Sequence, residues 1–155
     1  MILVTLGTQK QKFYRLLEAV EKLNTDEEII VQAGGSADYK SNKMKIFDFI
    51  SYDEMQKYID EADLIITHGG TGSIIMPLQK NKKVIACPRL AKYEEHINDH
   101  QKEIVDVFAL EGHILKYDDG DNLQEIYDKS KSFKPIPYKS NTENFIKNLV
   151  KIIEK

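Results

Sequence analysis

The chain has 155 residues, of which 41% are hydrophobic, a formal charge of −3 and one cysteine. That is about one domain's worth of chain with apolar content for one ordinary core, and its acidic balance makes it a poor partner for nucleic acid, whose binding depends on neutralising phosphates. Cys87 alone builds neither a disulfide framework nor a cysteine zinc site, which fits a reducing cytoplasm, and neither a signal-type N-terminus nor an apolar run near the ~18 residues of a bilayer span is found.

Residues 1–6 form an apolar run that stops at Gly7-Thr8, and Phe13, Leu16, Leu17, Val20 and Leu23 follow at helical spacing. A strand, a loop and an amphipathic helix are expected, with Thr8 and Gln11 as a capping box at the helix start. Residues 28–33 read as a second strand ending at Gly34-Gly35-Ser36, and 43–50 as a third. Ser51 with Glu54 repeats the capping-box pattern before Met55, Tyr58, Ile59 and Ala62.

The central strand is expected at 63–67, followed by His68-Gly69-Gly70-Thr71-Gly72-Ser73 and a helix opening with Ile74. A strand that ends in glycines and restarts as a helix presents first-turn N–H groups without partners and the positive end of the helix dipole, an anion site. Thr71 and Ser73 add hydroxyl donors, whereas the plainer alternative is a glycine turn capped by one of them. The order matches neither the P-loop nor G-x-G-x-x-G. Pro77 limits or kinks the helix that follows.

Residues 83–87 form a fifth strand closed by Pro88. The polar stretch 89–101 leads into a helix carrying Ile104, Val105, Phe108 and Ala109. His96 and His100 would share a helix face, but such a pair without the H-E-x-x-H glutamate is common by chance, and no metal site is expected. A last strand at 113–116 precedes an Asp121-capped helix over 122–131. The prolines of 134–138 stiffen a crossover to a final helix begun by Ser140, whose stripe of Phe145, Ile146, Leu149, Ile152 and Ile153 suits it to docking. From 129 onward seven lysines stand against Glu143 and Glu154, a basic end that is a solvated tail or faces an anionic partner.

Alternating strands and helices predict one α/β domain, with a doubly wound, mainly parallel sheet of about six strands. Ligands of such sheets bind beyond the carboxyl ends of the strands at a switch in strand order, and the loops at 7–8, 34–35, 50–51, 68–73 and 89–101 all lie at that edge.

Together these loops resemble the C-terminal, donor-binding half of GT-B glycosyltransferases of family 28. The likeness is strongest to the small stand-alone subunits of split enzymes, which act on dolichol-linked sugars or in bacterial capsule and exopolysaccharide assembly. It runs through Val4-Thr-Leu-Gly-Thr8, Phe49-Ile-Ser, Asp63-Leu-Ile-Ile-Thr-His-Gly-Gly-Thr-Gly-Ser73, Lys83-Val-Ile-Ala-Cys-Pro-Arg89 and Glu95-His-Ile-Asn-Asp-His-Gln101. The resemblance implies a Rossmann-like domain that binds a UDP-sugar without metal or other cofactor. Gly7, Thr8, Gly70, Thr71, Gly72 and Ser73 would face the diphosphate, the backbone around Phe49 and Ile50 the uracil, and Asp99, His100 and Gln101 the sugar or its phosphates. Arg89 or His68 would add to stabilising the leaving diphosphate, with His68 and His100 as candidate catalytic side chains.

The ribose-binding Glu of many relatives is replaced by Met76, and the usual Gly-Lys-Pro before the fifth strand by Asn81-Lys82-Lys83. A GT-B enzyme places its acceptor in a second half, so the resemblance implies a membrane-anchored, acceptor-binding partner subunit that holds this chain at the inner face of the membrane. The rivals are a non-catalytic subunit that stabilises such a partner and an ordinary nucleotide-binding module. Against the latter, Ala33-Gly34 stands where an acidic residue would end the second strand.

Overall fold

The computed structural model describes residues 1–139; the expected helix from Ser140 and its apolar stripe lie outside the described residues. Six strands, β1 (Ile2–Thr5), β2 (Ile29–Gln32), β3 (Met44–Phe47), β4 (Leu64–His68), β5 (Val84–Cys87) and β6 (Leu115–Lys116), form one sheet in the order β3-β2-β1-β4-β5-β6. Every pairing is parallel, so the sheet is wholly rather than mainly so. β1, β2, β4 and β5 are buried along their whole length, which explains why they read as continuous apolar runs rather than alternating ones.

Helices α1 (Tyr14–Glu21) and α5 (Leu123–Ser130) supply Leu16, Leu17, Val20, Leu123 and Tyr127 to a core on one face, against Val4, Val31 and Ile66. On the other, α2 (Tyr52–Glu61), α3 (Thr71–Gln79) and α4 (His100–Leu110) bring Ile59, Ile74, Leu78, Val105 and Phe108 against Leu3, Ile65 and Ala86. The sheet is doubly wound, with its order reversing between β1 and β4.

Two helix starts differ from expectation. α1 begins at Tyr14, not near Thr8, because Ser36 Oγ accepts from Phe13 N (2.8 Å) and Lys12 Nζ donates to Gly35 O (2.6 Å), pinning 8–13 as a loop against the end of β2. α5 is capped by Asn122, whose side chain accepts from Glu125 N, while the Asp121 carboxylate accepts from Asp118 N. Ser51 caps α2 as expected, accepting from Glu54 N. Pro77 sits inside α3, which ends two residues later at Gln79.

Asn81 takes a left-handed turn (φ 58°), a conformation asparagine tolerates. The lysines after it cap helix ends: Lys82 Nζ donates to Asp60 O and Ala62 O after α2, and Lys83 Nζ to Ser130 O and Lys131 O after α5. The crossover folds onto this chain's own α4. Ile136 N donates to Gly112 O, His113 Nδ1 donates to Ile136 O, and the Tyr138 ring packs 6.1 Å from Phe108.

Candidate functional site

A cleft of about 280 Å³ opens beyond the carboxyl ends of β1 and β4, at the switch point. Its floor is apolar, made by Met55, Ile59, Ile65, Met76 and Pro77. One wall carries Phe49 and Ile50 after β3, and the other Gly72 and Ser73 in the first turn of α3, with Gly7 and Thr8 between them. Gln32, at the end of β2, holds the rim. Its Nε2 donates to Gly7 O (2.9 Å) and Asp48 O (3.1 Å), fixing the loop after β1 to the loop after β3. Thr5 Oγ1 donates to Thr67 Oγ1 (2.7 Å), joining β1 to β4 below the cleft.

The α3 start is equipped for an anion. Gly70 is its N-cap and its carbonyl accepts from Ile74 N (3.1 Å), while among the described residues no acceptor takes the N–H of Thr71, Gly72 or Ser73. The glycines of this loop serve different ends. A Cβ on Gly72 would meet nothing within 4 Å, so this position faces open space. On Gly70 it would stand 2.5 Å from the His68 ring, and on Gly7, whose φ is +81°, 2.7 Å from the same ring. The absence of a Cβ at Gly7 and Gly70 therefore leaves room for a buried imidazole.

His68 ends β4 and is 3% exposed. Its Nδ1 lies 3.1 Å from Gln101 Nε2 and its Nε2 3.1 Å from Ser73 Oγ. Burial, followed by the nearby positive charge of Arg89, pushes its pKa down to about 3, so the ring is neutral at physiological pH and does not act there as a cation. Because the folded pKa lies below the unfolded value near 6.5, this group's stabilisation is complete above that value and is lost as pH falls toward about 3. Lowering the pH from ~7 to ~5 should therefore cost about 2 kcal/mol through His68 alone. The comparison is unfolding free energy at the two pH values in wild type and His68→Gln; an equal loss in both would show that His68 is not the group responsible.

Of the side chains expected at the donor, Gly7, Thr8, Phe49, Ile50, Gly72 and Ser73 line the cleft. Gly70 and Thr71 precede them at the helix start without lining it. Arg89 is corrected to an interior position. It is fully buried, and its guanidinium donates to the carbonyls of Leu6 (2.5 Å), Gln11 (3.0 Å) and Glu95 (3.0 Å) while lying 4.8 Å from the Phe13 ring centroid.

Gln101 is likewise buried. Its Oε1 accepts from Gly69 N and Arg89 N, both at 3.0 Å, and this leaves its amide no reach into the cleft. Asp99 Oδ1 accepts from Ala91 N, closing the loop after β5. His100 opens α4, whereas His96 lies in the preceding loop, so the two do not share a helix face. Neither Asp99 nor His100 lines the cleft.

Sequence reasoning missed Gln32, Thr5 and the apolar floor. A polar residue at the end of the apolar run Ile29-Ile-Val-Gln32 was the available signal for the first.

An all-parallel sheet of this order, with an apolar crevice at the switch point rimmed by a helix N-terminus, is a Rossmann-like fold of the kind found in the C-terminal half of GT-B glycosyltransferases. Solved structures share this fold. An NMR solution structure of ALG13 superposes with a TM-score of 0.60 at 22% identity, covering 99% of this chain and 96% of that one. Acinetobacter baumannii MurG does so at 0.57 and 18% identity, covering 95% and 44%. The chain belongs to the glycosyltransferase family 28 C-terminal domain family, which matches residues 1–155.

Among curated proteins it is similar to the UDP-N-acetylglucosamine transferase subunit ALG13 of Debaryomyces hansenii, 28% identical over 90% of this chain and 73% of that protein. The protein of the same name from Candida glabrata is 30% identical over 80% and 60%, and that from Saccharomyces cerevisiae 36% over 48% and 35%. The matches thus span from about a third to about three quarters of these relatives' lengths.

Proposed function

We propose that the chain is the donor-binding subunit of a two-subunit, UDP-sugar-dependent hexosyltransferase that works with a membrane-anchored, acceptor-binding partner. The transferred sugar is galactose, glucose or N-acetylglucosamine and the acceptor a lipid-linked saccharide, in capsular or exopolysaccharide biosynthesis, with the subunit held at the inner face of the membrane by its partner. The observation that carries this reading is the cleft's pairing of an apolar wall at Phe49 and Ile50 with the free N–H groups of Gly72 and Ser73 opposite. A base fits the first and a diphosphate the second, and hydrogen-bond donors aimed at the growing charge on a leaving diphosphate need no metal.

The relatives' name supplies the UDP and the subunit character. A volume of about 280 Å³ is at the small end for ligand sites, which suits half of a cleft completed by another protein. UDP titrated calorimetrically should bind with the same affinity in magnesium and in EDTA. Binding that appears only with the metal, or not at all, would end this reading.

Met76 on the cleft floor, where many relatives carry a ribose-binding Glu, favours one alternative, a subunit that stabilises its partner without using donor. The two separate on whether the assembled pair loses sugar transfer when this cleft is blocked.

A further inference from the structure

We propose that Gln101 and His68 are positioning residues that aim the hydroxyl proton of Ser73 into the cleft, through a chain of hydrogen bonds whose polarity is set at its buried end. The inference rests on the cleft being the donor site and concerns how that site is pre-organised. It starts from two backbone groups. Gly69 N and Arg89 N can only donate, and both reach Gln101 Oε1 at 3.0 Å. The amide oxygen must therefore stand on that side, which turns Nε2 toward His68 Nδ1 (3.1 Å).

An amide nitrogen only donates, so Nδ1 accepts and carries no proton. In a neutral ring the proton then sits on Nε2, which donates to Ser73 Oγ (3.1 Å). With a lone pair so occupied, the Ser73 hydroxyl has its own proton to give, and among the described residues no acceptor takes it. Ser73 lines the cleft beside Gly72.

The surroundings keep the chain in this sense. Gln101 is 4% and His68 3% exposed, so water does not compete for either. The ring is closed in by the backbone of Gly7 and Gly70, each of which would collide with it if it bore a Cβ. The depressed basicity of the ring keeps it neutral, so one tautomer persists across the physiological range. The result is a fixed hydroxyl donor next to the free N–H groups of the α3 start, needing no reorientation when a phosphate arrives.

The test has two arms. Nitrogen NMR of the ligand-free protein should show the His68 proton on Nε2 and none on Nδ1. In Gln101→Glu, a carboxylate still accepts from Gly69 N and Arg89 N but accepts from the ring as well, so the proton should appear on Nδ1. UDP affinity should then be weaker in Gln101→Glu than in wild type, since the neutral ring, protonated on Nδ1, now takes its hydrogen bond from Ser73. A second pair stands independently of that variant's folding: Ser73→Ala should weaken UDP about tenfold or more and Ser73→Thr should restore it.

A wild-type ring protonated on Nδ1 overturns the proposal, as does Ser73→Ala binding UDP like wild type. Wild type that fails to bind UDP while its ring carries the proton on Nε2 condemns the donor-site reading and leaves the tautomer assignment standing.

Discussion

Replacing Gly72 by Asp is expected to abolish UDP binding without harming the fold. Gly72 is exposed in the first turn of α3, and a Cβ there meets no atom within 4 Å. An acidic residue at this position interacts well with the helix dipole and has a better helix propensity than glycine, so the melting temperature should hold or rise slightly. The same carboxylate would sit among the N–H groups proposed for the diphosphate. Two like charges about 4 Å apart near a protein surface repel by about 4 kcal/mol, about a thousandfold in affinity. Calorimetry with UDP on the folded variant decides it. Unchanged affinity removes the diphosphate from α3, and with it the proposed function of the cleft.

Arg89→Ala is expected to act in the opposite way, destroying stability first. The guanidinium is enclosed, and it bonds the carbonyls of Leu6 after β1, Gln11 before α1 and Glu95 after β5. Removing it leaves three acceptors from two separate loops without their donor and opens a cavity against Phe13. Together these effects should cost on the order of 3 to 5 kcal/mol, a large part of a typical domain's stability.

Arg89→Lys keeps the charge but not the planar fork, and should recover only part of the loss. Denaturant midpoints measure both. If Arg89→Ala unfolds at the wild-type midpoint and loses UDP binding instead, the side chain belongs to the donor site after all.

The local rules succeeded where the physics is local. Apolar β-branched runs closed by glycine or proline became the strands, because burial on both faces of a parallel sheet leaves no alternation to misread. Ser51 capped α2 because cap and first turn are contiguous in the chain. The glycine loop at a strand-to-helix junction was legible for the same reason, as were the cleft positions Gly7, Thr8, Phe49, Ile50, Gly72 and Ser73.

The order of the elements, their faces and the edge at which a ligand would meet them therefore follow from contiguous stretches of chain. Which polar side chains face that ligand was decided only in three dimensions. Thr8 caps no helix, because the loop before α1 is held by Ser36, whose hydroxyl accepts from Phe13 N from 23 residues away. Arg89 and Gln101, polar residues in a polar stretch, read as ligand contacts; one is held by a carbonyl 83 residues distant, and the other bonds a histidine 33 residues distant. Gly7 and Gly70 also leave room for an imidazole that ends a neighbouring strand, a need their own sequence does not announce. In each case a buried polar group must find a partner, and the partner comes from whichever strand or loop the fold brings next to it, not from the neighbouring sequence.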